Sequence, residues 1–93
     1  MRRRLIGVGL LAVAGVLAIS VPAQAATGLL VVNGVPHQDP ARGCYNATSP
    51  ITVQNFTNSV VLLHAAANCQ GPVTAEVNPG RIATAVGSSY FVF

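Results

Sequence analysis

Ser59–Phe93 reads SVVLLHAAANCQGPVTAEVNPGRIATAVGSSYFVF, and its punctuation decides the fold class. An apolar run, Val60–Leu63, is halted by Asn68-Cys69-Gln70-Gly71-Pro72. Ala65-Ala66-Ala67 could extend that run as helix on propensity alone, but the stretch is too short for a free-standing helix. Val73, Ala75 and Val77 then alternate with Thr74, Glu76 and Asn78, the period-two pattern of a strand with one face inward. Pro79-Gly80 suits the centre of a type II turn, proline setting φ and glycine accepting φ > 0. Ser88–Phe93 is aromatic and β-branched, as a closing strand requires. The stretch therefore predicts three strands joined by glycine-bearing turns, with Ile82–Val86 as a loose arch. Val60–Leu63, being continuously apolar, predicts a strand covered on both faces or lying at the domain's centre.

The same reading extends upstream. Ile51-Thr52-Val53-Gln54-Asn55 alternates, with Ile51 and Val53 inward. Leu29-Leu30-Val31-Val32 followed by Asn33-Gly34 predicts another strand and its turn, after two or three frayed residues. Val35–Gly43 (VPHQDPARG) predicts a loop, because Pro36 and Pro40 withhold ladder donors. Asn46-Ala47-Thr48-Ser49-Pro50 forms a further turn cluster. Residues 26–93 show no amphipathic helix, and the strand spacing is that of a small all-β sandwich.

Ahead of this lies Met1-Arg2-Arg3-Arg4, an uncharged apolar run from Leu5 to Val21, then Pro22-Ala23-Gln24-Ala25-Ala26. A basic start, an apolar middle and a small-x-small site make up a helical secretory signal peptide, residues 1–25, cleaved after Ala25. A retained anchor is the competing reading; the run is near the lower length limit for spanning a bilayer, and the Ala-Gln-Ala site speaks against it. Arg2-Arg3 also loosely fits a twin-arginine signal, but that route carries proteins folded where a disulfide does not form easily. Cleavage leaves a single domain, residues 26–93, in an extracellular setting.

Processing removes three of the five basic residues. Arg42 and Arg81 then balance Asp39 and Glu76, so the basic character of the whole chain gives no support to binding of nucleic acid or an anionic membrane. A domain this small buries little apolar surface and needs a staple. Cys44 and Cys69 are the only cysteines and are far apart in sequence. In an exported chain they predict a Cys44–Cys69 disulfide over a metal or redox pair.

Leu63–Gly71 resembles part of the βγ-crystallin Greek-key motif: a strand carrying an aromatic, then a hairpin ending in Asn-aromatic-x-Gly, then a serine and an alternating strand. His64 occupies the first aromatic position, Asn68-Cys69-Gln70-Gly71 the corner with Cys69 in the second, and Ser88-Ser89-Tyr90-Phe91-Val92 the closing element. The resemblance implies a Greek-key sandwich in which the serine ties the folded hairpin down. It covers about the last 35 residues; upstream there is no second Asn-x-x-Gly corner. The pattern from Gly43-Cys44-Tyr45 onward is similar to small secreted actinobacterial proteins of crystallin-like fold, a group that includes killer-toxin-like proteins and metalloprotease inhibitors. Crystallin-type calcium sites need Asp or Asn before the serine, and Thr84–Ser89 has neither, so no calcium site is expected.

Catalytic chemistry is sparsely provided. Ser88 or Ser89 with His64 and Asp39 could be written as a triad, but no nucleophile-elbow signature surrounds either serine. His37, Asp39 and His64 could offer zinc ligands, yet two histidines and one aspartate co-occur readily by chance. Asn46-Ala47-Thr48 and Asn55-Phe56-Thr57 have the form of glycosylation sequons, read here as turn and strand-end residues.

The expectation is a non-catalytic secreted binding module with no cofactor and no metal. Its partner would be another secreted protein, including a protease inhibited through the Val35–Gly43 loop, where Arg42 would suit a trypsin-like pocket, or the cell envelope. Candidate contact residues are Arg42 and His37 in the Val35–Gly43 loop, and Phe91 and Phe93, which share one side of the last strand. That side is either covered or an apolar contact strip or self-associating edge. A killer-type toxin with a protein target and a structural envelope component are the competing classes.

Overall fold

The computed structural model describes residues 25–93; the expected signal peptide lies outside this range except for Ala25. The described chain is all-β. Eight strands run in order: β1 Gly28–Val32, β2 Val35–Gln38, β3 Gly43–Asn46, β4 Ile51–Thr57, β5 Val61–Ala66, β6 Gln70–Val77, β7 Arg81–Ala85 and β8 Ser89–Val92. They form two four-stranded antiparallel sheets, ordered β2-β1-β4-β7 and β3-β8-β5-β6.

This order contains an internal repeat. The first four strands give β1, β2 and β4 to one sheet and send β3 to the other. The last four give β5, β6 and β8 to the second sheet and return β7 to the first. Each half therefore completes its partner's sheet.

The alternating strands bury the sides the pattern indicates, except at the start of β6, where Val73, expected inward, stays 49% exposed beside the register shift at Leu63/His64. Leu30, Ile51, Val53, Val61, Leu63, Val77 and Val92 are fully buried, and Tyr90 nearly so. Tyr45 stacks on Tyr90 with ring centroids 5.3 Å apart. Burial, and secondarily the Tyr45 phenol, raises the Tyr90 pKa.

Several expectations are corrected. Val35–Gln38 is a strand, not a loop: β2 lies at a sheet edge, where Pro36 opposite Val31 can turn its missing donor away from the ladder. Ile82–Val86 is no arch: Arg81–Ala85 pairs with Ile51–Asn55 as β7, so Ser59–Phe93 holds four strands and not three. Gly43–Asn46, unassigned as a strand above, pairs with β8. The residues after Ala25 are not frayed. Ala26 is buried and its N–H donates to Pro40 O at 3.0 Å, while Thr27 N donates to Asn58 Oδ1 at 2.9 Å. A short apolar side chain there fits the core, and that packing holds the end.

One buried polar side chain joins the two sheets. Asn55 has no exposed surface. Its Nδ2 donates to Ser59 O at 2.7 Å and Val77 O at 2.9 Å, and its Oδ1 accepts from Thr57 N and Thr57 Oγ1. With both side-chain ends engaged, Asn55 is a framework residue inside β4 and presents no amide for glycosylation.

Asp39 closes the β2 end. It accepts from Gly28 N at 2.7 Å and Gln38 Nε2 at 3.1 Å. The Gly28 N–H first, then the Gln38 amide, hold its carboxyl below the usual carboxylate range.

Two predictions follow from this framework. Asn55→Ala strands several buried backbone groups and should cost about 3 kcal/mol, read as a lower urea midpoint; an unchanged midpoint would refute the joining role. Because the folded Asp39 pKa is depressed, its contribution is present above the ordinary carboxylate value and lost as pH falls through and below about 4. Asp39→Asn should therefore flatten the acid limb of a thermal-melt series, and an unaltered limb would count against the Gly28 contact.

Candidate functional site

β8 divides the second sheet into a dry side and an open side. Tyr90 and Val92 point into the core; Ser89, Phe91 and Phe93 lie on the outer side. At the Ser89 end the outer side is roofed by the chain between β5 and β6. Ala67–Cys69 makes a single 3₁₀ turn there, with Asn68 and Cys69 at φ 60° and 56°. The turn brings backbone groups onto the sheet surface, and Ser89 answers them. Its Oγ accepts from Cys69 N at 2.8 Å and donates to Ala66 O at 2.5 Å, and the residue is fully buried.

β3 holds the same roof from the side. Cys44 and Cys69 form the expected disulfide. Asn68 N donates to Asn46 Oδ1 at 2.8 Å, and Asn46 Nδ2 donates to Asn68 Oδ1 at 3.2 Å. Closing the 25-residue separation between the cysteines contributes roughly 3–4 kcal/mol in the chain-entropy treatment.

At the other end nothing among the described residues covers the sheet. Phe93 remains 43% exposed and Phe91 is half-buried. Their rings meet edge to face, centroids 4.9 Å apart. The Arg42 guanidinium lies 5.7 Å from the Phe91 centroid and 6.0 Å from that of Phe93. Such cation–π contacts are worth about 0.5–1 kcal/mol at exposed positions. Beside the rings opens a groove of about 460 Å³ lined by Ser59, Val60, Leu62, Glu76 and Phe93. The cross-strand row Cys44–Phe91–Leu62–Glu76 runs straight across the sheet.

Three of the four candidate contact residues thus converge: Arg42, Phe91 and Phe93. His37 does not join them. It lies on β2 in a second groove of about 340 Å³, with Val35, Tyr45 and Tyr90. The Phe91–Phe93 side is not a sheet edge either, since β8 has β3 on one side and β5 on the other. It is a face.

Leu62 and Glu76 were missed as site residues. Val61 and Leu63 are buried while Leu62 points outward, half-exposed. The unbroken apolar run Val60–Leu63 was the available signal: in a strand with one core face, it forces an apolar residue onto the other face.

Of the residues written as a triad, Ser88 lies beside His64, its N–H donating to His64 O at 3.0 Å, while Asp39 is engaged elsewhere. Ser89 is committed to the turn, Asp39 to Gly28 and Gln38, and His64 Nδ1 lies 3.2 Å from Gly71 O. Among the described residues no group of three or more His, Cys, Asp or Glu side chains is placed to hold a metal ion.

Ser89→Ala would leave the Cys69 N–H without its acceptor, and a loss of about 2 kcal/mol is expected. Chemical denaturation of the oxidised protein measures it; wild-type stability in the variant would show that the roof does not depend on the hydroxyl.

No protein-family model matches the chain, and no curated protein or solved structure matches it significantly.

Proposed function

We propose that this chain is a secreted, non-catalytic protein-binding module built on two Greek keys of βγ-crystallin type. The fold part of this reading is supported by the strand exchange, β2-β1-β4-β7 against β3-β8-β5-β6, and by the Ser89 tie across the folded hairpin. Export is supported by the pattern of residues 1–25 and by the Cys44–Cys69 disulfide.

The observation that carries the function is the open strip of Arg42, Phe91, Phe93 and Leu62. Aromatic and arginine side chains are the types enriched where protein surfaces meet. Here they stand together beside a groove, on a face whose other end is roofed by the protein itself. The partner class is a protein surface. Inhibition of a secreted protease is one form of this reading; Arg42, at the exposed bend before β3, lies over two rings, so the strip and not the Arg42 side chain alone would make the contact. A killer-type toxin acting on a protein target would use the same strip.

The product of the full 93-residue sequence, expressed with its own leader, should be recovered from the medium with Ala26 at its N-terminus. Immobilised, it should retain a protein, itself or another, and Phe93→Glu should release it while leaving the circular dichroism unchanged. Retention indifferent to Phe93→Glu, or retention of wall material alone, would move the reading to an envelope component.

A further inference from the structure

The open strip carries charge in a particular arrangement. Residues 25–93 hold only four formally charged side chains: Asp39, Arg42, Glu76 and Arg81. Two of them, of opposite sign, flank this one strip. Arg42 stands at its β3 side over the phenylalanine rings, and Glu76 at its β6 side, in register with Leu62. Between them lie the protruding rings on β8 and the groove over β5.

Placed in order across the sheet, the strip reads cation, ring, groove, anion. A two-fold axis lying in the face, parallel to the strands and between β8 and β5, reverses that order on a facing copy. The second copy's Arg42 then stands over Glu76, and its Phe91 and Phe93 rings stand over Leu62 and Val60. The levels along the strands agree, because that axis leaves them unchanged: Phe91 is in register with Leu62, and Phe93 N donates to Val60 O. The guanidinium, resting between the two rings, is drawn back from the level of Phe93 toward that of Glu76. Face-to-face packing with nearly aligned strands is an ordinary way for two sheets to meet. An isologous contact of this kind requires a patch that is its own complement.

Resting on the reading of the strip as a protein-contact surface, we propose that its partner is a second copy of this chain, and that the protein works as a two-fold dimer joined through Arg42, Phe91, Phe93, Leu62 and Glu76. The outer face of the other sheet also exposes apolar side chains, Phe56 and Ile82 among them. Of the two charges near it, Arg81 is in register with the core-facing Asn55 and Asp39 is engaged by Gly28 N and Gln38 Nε2, so no opposite pair brackets those apolar side chains as Arg42 and Glu76 bracket the strip.

Sedimentation equilibrium of the oxidised protein, produced from the full-length sequence, tests the assignment. The wild type should sediment as a monomer–dimer equilibrium. Arg42→Glu and Glu76→Arg should each weaken the dimer at least about tenfold by setting like charges face to face. The combined Arg42→Glu/Glu76→Arg variant should return the dissociation constant to within about threefold of wild type, a rescue that misfolding cannot mimic. A wild type that stays monomeric to about 1 mM, or a dimer indifferent to both reversals, overturns the dimer. If the monomer still captures another extracellular protein and Phe93→Glu abolishes that capture, the contact surface stands and only its assigned occupant fails. If Phe93→Glu changes neither sedimentation nor capture, both readings fall.

Discussion

A hairpin that folds back over its own sheet carries backbone N–H and C=O groups onto a surface with no water to receive them. Here the hydroxyl of Ser89 accepts from one and donates to the other, with Cys69 N and Ala66 O as its partners. Much else in the second sheet depends on that small junction. It sets Cys69 at the distance from β3 that the disulfide spans, and it brings Asn68 into reciprocal hydrogen bonds with Asn46. Because β3 belongs to the first half of the chain, the junction also fastens the two halves together. Buried polar groups cost stability unless satisfied, so such a junction either forms with all its partners or does not form.

The roof has a consequence for the surface. By covering the outer side of the sheet at Ser89, it leaves the opposite end of the same face as the place where apolar side chains remain open. Phe91 and Phe93 are there because period-two alternation sends them opposite Tyr90 and Val92, which the core requires. Leu62 joins them for the same reason, as the outward neighbour of Val61 and Leu63. An apolar outer strip is thus the by-product of a core with little chain to spare. A cation, Arg42, and an anion, Glu76, bracket it in a domain with few charges of either sign.

Local signals in the sequence were sound where one face of a strand is buried and the turn chemistry is explicit. β4 and most of β6 are readable from alternation and Pro79-Gly80, β1 from its apolar run before Asn33-Gly34, and β8 from its aromatic and β-branched residues. Asn33 and Gly34 indeed take φ 49° and 81°, the positive values such a hairpin turn needs. Short edge strands were illegible. β2 carries Pro36 and β3 is four residues long, so neither shows a period. β7, Arg-Ile-Ala-Thr-Ala, alternates weakly because it lies at an edge with only small residues turned inward. Of the candidate site, Arg42, Phe91 and Phe93 were legible as exposed or aromatic residues, but their meeting was not. His37 was grouped with Arg42 because both stood in one supposed loop, and a strand boundary between them separates the two in space.

The amino-acid sequence alone determined the all-β class, the cysteine pairing, the inward faces of the strongly alternating strands and a neutral domain behind a leader-like segment. These follow from local periodicity, from composition and from there being only one way to pair two cysteines. Tertiary structure alone decided that β3 and β7 change sheets, that Asn55 joins the layers, and that Arg42 rests on the rings of β8 across from Glu76. Those outcomes are set by strand order and register, which depend on contacts between residues distant in sequence. No local pattern encodes them, because the energy that selects among registers is the packing of the two finished sheets against each other.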